Sequence, residues 1–359
     1  MSGWKERVRK VTPYVPGEQP SGRDVIKLNT NENPYPPAPG VARALREIGG
    51  DDLRRYPAPD IAPLTGRIAE RYGLDADRVF VGVGSDDVLS MCFLTFFRGP
   101  EPLLFPEITY SFYSTWAEVY GIPYERIPLN DRLEIDPADY CGRSCSGIIF
   151  ANPNAPTGLS LGLSAVEKIA ASNPDRVVIV DEAYVDFGGD SAVCLLDKYE
   201  NLLVVQTFSK SRSLAGMRIG YALGSRALIR CLNDVKFSVN SYTMNRAAIG
   251  AGCAALEDEA YFEECLSKIV STRERAKEAL ASLGFSFPDS RTNFILASHR
   301  SVPASKLYER LKEEEIYVRY FNTPGIDNCL RITVGTDAEM DALFAALRRM
   351  ITEEEAQKR

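Results

Sequence analysis

Histidine is almost missing from this chain: His299 is the only one in 359 residues. That scarcity argues against Ser–His–Asp triads and multi-histidine metal sites. His299 itself stands beside Arg300 and Ser301, after a strand-like segment, and is expected in a surface loop. No apolar run approaches the roughly 20 residues that a membrane-spanning helix needs. Basic charge is not in excess either. Lys and Arg number 42 against 49 Asp and Glu, a formal net charge of -7. Such a balance invites neither a nucleic-acid backbone nor an anionic membrane. A small anionic substrate would need individually placed arginines.

Other signatures are lacking too. Met1 to Lys10 is polar and basic with no apolar stretch behind it, unlike a secretory signal. The eight cysteines (92, 141, 145, 194, 231, 253, 265 and 329) are scattered. The one close pair, Cys141 and Cys145, has no flanking His or second Cys pair. No metal site is expected, and reduced thiols in a cytoplasmic protein are. There is no Walker A pattern. Gly82-Val83-Gly84-Ser85-Asp86-Asp87 is not a dinucleotide fingerprint, because Asp87 stands where a third glycine belongs.

What is present is a chain of two-domain length, 45% hydrophobic and 25% charged, ordinary for a globular protein. Val11 to Gly40 is rich in Pro, Gly and Asn and reads as an extended arm. From Val79 onward short aliphatic runs alternate with amphipathic segments. Val79–Val83, Leu103–Phe105, Gly147–Ala151, Val177–Asp181 and Leu202–Phe208 are strand candidates. Ser85–Phe97, Ser111–Tyr120 and Ser164–Ser172 are helix candidates. That alternation predicts an α/β fold: a mainly parallel sheet sandwiched by helices. After a long amphipathic stretch near Glu257–Leu283 come strand-like Asn293–Ser298, Ile316–Tyr320 and Leu330–Val334. A final helix, Ala338–Ile351, aligns Met340, Leu343, Leu347 and Met350 on one face. This part predicts a smaller α+β domain. The expected division is 1–48 for the arm and the start of the small domain, 49–248 for the large domain, and 249–359 for the small one.

Ligands of parallel sheets bind beyond the carboxyl ends of the strands, and four such ends are rich in chemistry. Val177–Val180 delivers Asp181 to the sheet rim, followed by Glu182-Ala183-Tyr184. A turn Asp is the ordinary reading, and a functional one needs a cation to face. Leu202–Phe208 ends in Ser209-Lys210, with Arg218 shortly after. An amine desolvated there, or placed near another cation, can lose its proton and become a nucleophile. Asn152-Pro153-Asn154-Ala155-Pro156-Thr157-Gly158 is a rigid turn able to hold amides. Gly82–Asp87 leads from strand to helix and suits a phosphate on backbone N–H groups.

In order and spacing, these four elements resemble the fold-type I pyridoxal-phosphate enzymes, and among them the histidinol-phosphate aminotransferases. The resemblance runs from Tyr14-Val15-Pro16-Gly17-Glu18 to Leu330-Arg331-Ile332-Thr333-Val334-Gly335-Thr336. It includes Leu28-Asn29-Thr30-Asn31-Glu32-Asn33-Pro34-Tyr35 and Arg55-Tyr56-Pro57. It implies that Lys210 carries pyridoxal 5'-phosphate as a Schiff base and later moves a proton. It implies that Asp181 pairs with the ring nitrogen, that Tyr184 hydrogen-bonds the ring hydroxyl, and that Tyr110 stacks on the ring. Ser85, Asp86, Thr207, Ser209 and Arg218 would surround the phosphate. Tyr56 would reach the cofactor of a second subunit, making a homodimer. Many relatives carry an Asn directly before Pro-Thr-Gly that bonds the ring hydroxyl. Ala155 stands there, so Asn154 or Asn152 is expected to take over.

Substrate anions are expected at Arg331 and Arg319, with Tyr14 and Asn33 closing from the arm. The resemblance implies transfer of an amino group between L-histidinol phosphate and 2-oxoglutarate, in histidine biosynthesis. An aromatic aminotransferase and a threonine-phosphate decarboxylase-like lyase are the alternatives.

Overall fold

The computed structural model describes residues 3–15, 17–20, 22 and 25–357. Pro16 of the arm motif lies outside them. Among its described residues the arm contributes a two-residue strand, β1 (Ile26–Lys27), ahead of helix Pro39–Arg46.

The main sheet has seven strands: β2 (Val79–Gly82), β3 (Leu103–Pro106), β4 (Tyr124–Ile127), β5 (Gly147–Ala151), β6 (Val177–Asp181), β7 (Leu202–Thr207) and β8 (Gly220–Gly224). Their order across the sheet is β2-β8-β7-β6-β5-β3-β4. The aliphatic runs are uninterrupted because both faces are covered. Val178 and Val180 pack into one core with helices Ala62–Tyr72, Leu163–Ser172 and Arg246–Glu257. Ile179 packs into the opposite core with helices Ser85–Phe96, Phe112–Tyr120 and Arg226–Val239.

Only β8 runs antiparallel to its neighbours. It follows β7 after a short excursion with no crossover helix, so the chain turns back and Thr207 pairs with Gly220. Neither β8 nor β4 was expected from the sequence. All other strands of this sheet therefore end on one edge. Gly220 is required for that edge to close. A Cβ there would lie 2.2 Å from the Ser85 nitrogen and 2.3 Å from the Gly84 carbonyl carbon.

The remaining strands are β9 (Phe285–Ser286), β10 (Phe294–His299), β11 (Ile316–Tyr317), β12 (Arg319–Tyr320) and β13 (Leu330–Thr333). A four-stranded antiparallel sheet runs β12-β13-β10-β9, and β11 pairs separately with β1. The expected single strand Ile316–Tyr320 is thus two pieces with different partners. Met340, Leu343, Leu347 and Met350 of helix Asp337–Gln357 all face this second core, which Leu28 of the arm joins. The expected boundary after residue 248 falls inside helix Arg246–Glu257, whose buried alanines belong to the core of the large sheet. His299 is not in a surface loop. It is 4% exposed, with Nε2 2.9 Å from the Leu283 carbonyl and Nδ1 accepting from the Val302 nitrogen at 3.0 Å. No helix among the described residues is long and apolar enough to cross a membrane.

Candidate active site

A cavity of about 1030 Å³ opens at the carboxyl edge of the main sheet. Lys210, Asp181, Tyr184, Tyr110, Ser85, Asp86, Thr207, Ser209 and Arg218 all line it, from four strand ends. Tyr14, Arg319 and Arg331 close it from the arm and the smaller sheet. Twelve of the expected site residues thus meet in one place; Asn154, Asn33 and Tyr56 do not.

Asp181 ends β6 with its side chain almost fully buried. Burial pushes its carboxyl up to about 6, although hydrogen bonds from Tyr113 and the Ala183 N–H pull the other way. Tyr113 Oη donates to Oδ2 at 2.8 Å, and the Ala183 nitrogen to Oδ1 at 3.2 Å. No salt bridge reaches Asp181 among the described residues. Lys210 Nζ lies 5.9 Å from the Tyr184 ring centroid and donates to the Thr30 carbonyl at 3.1 Å. The Tyr184 hydroxyl accepts from Asn31 Nδ2 at 2.8 Å, and its ring meets Phe294 edge-on.

Beside these groups is an arrangement suited to cradling an anion. Gly84, at φ +85°, turns the chain into helix Ser85–Phe96, whose first backbone N–H groups point outward from its positive end. Asp87 closes the turn by accepting from the Val83 nitrogen at 2.8 Å, which explains an acid where a dinucleotide fingerprint has glycine. Thr207 and Ser209 hydroxyls stand 3.0 Å apart. Arg218 Nη2 meets Asp86 Oδ2 at 3.2 Å, and Tyr110 Oη donates to Asp86 Oδ1 at 2.8 Å. Burial, then Asp86, drives the Tyr110 phenol well above its ordinary range, so it stays a donor.

Arg319 and Arg331 face each other in register across β12 and β13. Like charges directly opposite repel, so the pair suits an anion between them. Arg331 lies between the Phe294 and Phe321 rings at 5.3 and 5.4 Å. Its Nη2 donates to the Asn29 carbonyl at 2.9 Å, while its buried Nε has no acceptor among the described residues. Burial, with Arg319 adding to it, holds the guanidinium below its ordinary range. Arg319 Nη2 donates to the Val15 carbonyl at 3.3 Å, and Tyr14 stacks on Phe112 at 4.2 Å.

Two expectations are not met: the amide sought beside Ala155, and Asn33 at the substrate. Asn154 does not reach the cavity, because its amide nitrogen is engaged by the Ile108 carbonyl and Thr157, and its oxygen by Thr109. Asn152 is likewise held within its own loop, by Leu161 and Ser160. Asn33 does not line the cavity; its amide donates to the Lys210 and Ser211 carbonyls at 3.2 and 3.0 Å, bracing the lysine's backbone. Tyr56, expected at the cofactor of a second subunit, lies outside its own chain's cavity, 78% exposed and stacked on Tyr242 at 4.6 Å. Two functional contacts went unforeseen. Tyr113 looks like one more core aromatic on a helix. Asn31 was visible only as part of the arm motif.

A family model described as aminotransferase class I and II matches residues 23–347, and the chain belongs to that family. Histidinol-phosphate aminotransferase 2 of Dechloromonas aromatica (strain RCB) is 52% identical, over 97% of this chain and 98% of the relative. The histidinol-phosphate aminotransferase of Brachyspira hyodysenteriae (strain ATCC 49526 / WA1) is 48% identical, over 96% and 98%. Among solved structures, histidinol-phosphate aminotransferase from Sinorhizobium meliloti, in complex with pyridoxal-5'-phosphate, superposes with a TM-score of 0.84. Its identity is 27%, over 92% of this chain and 91% of that one. L-threonine-O-3-phosphate decarboxylase from Porphyromonas gingivalis, at 21% identity and a TM-score of 0.77, shares the fold alone.

Proposed function

We propose that this chain is a pyridoxal-phosphate-dependent aminotransferase. It moves an amino group between L-histidinol phosphate and 2-oxoglutarate in two half-reactions sharing one pocket. The observation that carries this function is a buried Asp181 with no salt-bridge partner among the described residues, facing the same cavity as Lys210. A buried carboxylate is costly unless it meets a cation, and a protonated ring nitrogen is such a cation. The residues therefore fit the cofactor. When bound, it supplies an electron sink for the negative charge left on the substrate carbon.

The protein's own groups divide the remaining work. Lys210 Nζ would hold the cofactor covalently, then take and return the proton that moves during transfer. Asp181 holds the proton on the ring nitrogen. Tyr184 Oη would hydrogen-bond the ring hydroxyl, and Tyr110 would stack on the ring. Backbone N–H groups of Ser85 and Asp86, the Thr207 and Ser209 hydroxyls and Arg218 receive the phosphate. Arg319 and Arg331 take the substrate's phosphate in one half-reaction and a carboxylate of 2-oxoglutarate in the other, since a guanidinium fork matches both. Tyr14 closes over the substrate. The active form is a homodimer in the cytoplasm, with Tyr56 of a second copy completing the phosphate site. The pathway served is histidine biosynthesis.

The test is spectroscopic. The purified enzyme should show a visible band, and borohydride should fix the cofactor on Lys210, found by peptide mapping. Mixing with L-histidinol phosphate should abolish the band in one turnover. No change with that amine, but a fast one with phenylalanine or tyrosine, would move the assignment to an aromatic aminotransferase. Carbon dioxide release without an oxo acid would move it to a lyase.

A further inference from the structure

We propose that Asn31 is a positioning residue for the cofactor-facing hydroxyl of Tyr184, taking the place of the amide absent at Ala155. This rests on the cofactor assignment above and deepens it.

The turn after β5 offers the cavity only Ala155 and Pro156. Both of its asparagines are engaged elsewhere. Ala155 packs in one apolar cluster with Tyr184, so an amide at 155 would stand beside that ring. Instead an amide arrives from the arm. Asn31 is 1% exposed, and its Nδ2 donates to Tyr184 Oη at 2.8 Å.

Asn31 is itself held from several sides. Its Oδ1 accepts from Thr333 Oγ1 at 3.1 Å, its N–H donates to the same oxygen at 3.0 Å, and its carbonyl accepts from Asn293 Nδ2 at 3.0 Å. Its φ of +58° is one that Asn tolerates better than most residues. The two amide atoms therefore have distinct tasks: the oxygen is anchored to β13 and the nitrogen is aimed at Tyr184.

With Asn31 donating to it, the Tyr184 oxygen has a lone pair filled from the protein, and its own hydrogen is left to point into the cavity. Hydrogen bonds in series also strengthen one another, so the hydroxyl becomes a better donor toward an anionic ring oxygen. Stabilising that oxygen's charged form lowers the pH at which the bound chromophore gives up its proton. Other charged and titratable groups around Tyr184 are Lys210, Arg331, Tyr110 and Tyr113. None of them is altered in the variants below.

The experiment is a pH titration of the visible band in the purified, cofactor-loaded enzyme, with cofactor retention on dialysis as a second readout. Asn31→Gly keeps the positive φ and removes the amide. Its midpoint should rise by about one pH unit, the scale of one hydrogen bond to a charged group. Adding Ala155→Asn to Asn31→Gly should return the midpoint toward wild type, because the second amide supplies a donor at the same ring. Asn31→Asp, which keeps the side chain's outline and its Thr333 contact, serves if the glycine variant does not fold. It should shift the same way.

An unmoved midpoint in these variants would overturn the proposal. So would a shift that Ala155→Asn leaves uncorrected, since that marks Asn31 as a structural brace for the arm. A wild-type enzyme lacking any visible band would instead remove the cofactor assignment, and this inference with it.

Discussion

Asp181 lies almost out of solvent's reach, and no basic side chain among the described residues forms an ion pair with it. Its folded value near 6 stands above the ordinary 3.8. Between those pH values the native protein binds more protons than the unfolded chain. Stability of the cofactor-free protein should therefore fall as pH rises through that window. A gap of that size corresponds to about 2–3 kcal/mol. Asp181→Asn should remove that slope and leave the cofactor-free protein more stable at pH 7 by up to that amount, measured by urea unfolding. Glu182, also buried and lifted to about 7, titrates in both proteins and cancels in the comparison. Equal slopes in the two proteins would mean that Asp181 ionises without cost. The same substitution should weaken cofactor retention, because the cation it faces loses its counter-charge. On the proposed reading, what harms stability without the cofactor is what would bind it.

At the scale of elements, the site depends on two segments meeting back to back. The Gly84–Ser85 turn packs directly on β8 at Gly220. Gly220→Ala would place a carbon 2.2 Å from the Ser85 nitrogen, so backbone must move. Overpacking of this kind costs about 1–3 kcal/mol, and more where backbone is the obstacle. The displaced groups are the N–H donors of the anion cradle. The variant should therefore lose cofactor on dialysis at least tenfold faster than wild type, beyond any drop in melting temperature. Retention equal to wild type would show that the turn can shift without disturbing the cradle. Helix Ser85–Phe96 thus serves two purposes: Val88, Leu89, Cys92 and Phe93 anchor it in the core, and its first turn faces the cavity.

At the scale of the whole molecule, Tyr56 lies outside its own chain's cavity. Leu53, Tyr56, Phe237, Val239 and Tyr242 are all large, apolar and exposed. In the homodimer proposed above, a second copy of the chain would cover such residues. If Tyr56 completes the partner's site, mixed dimers give a clean test. Lys210→Ala and Tyr56→Ala homodimers should each be impaired. Refolded together, half the dimers are mixed and each holds one intact site, so activity should recover to about a quarter of wild type. No recovery, with mixed dimers verified by mass, would mean that Tyr56 acts within its own chain or not at all.

Much of this was already written in the linear order of residues. Val177–Val180 and Leu202–Val205 are aliphatic without alternation because both faces are covered, and Asp181 and Lys210 follow them at the sheet's rim. Strand type, turn chemistry and the likeness of four strand ends to a known enzyme class are all read within about ten residues of chain. Folding alone decided what reaches across greater distance. Asn31 and Tyr184 lie 153 positions apart, and Arg331 and Asn29 lie 302 apart. No local pattern ranks Asn31 above Asn152 or Asn154, nor marks Tyr113 as Asp181's partner or His299 as buried. Side chains of one type are equivalent until packing fixes which donor faces which acceptor, because a hydrogen bond depends on position within tenths of an ångström.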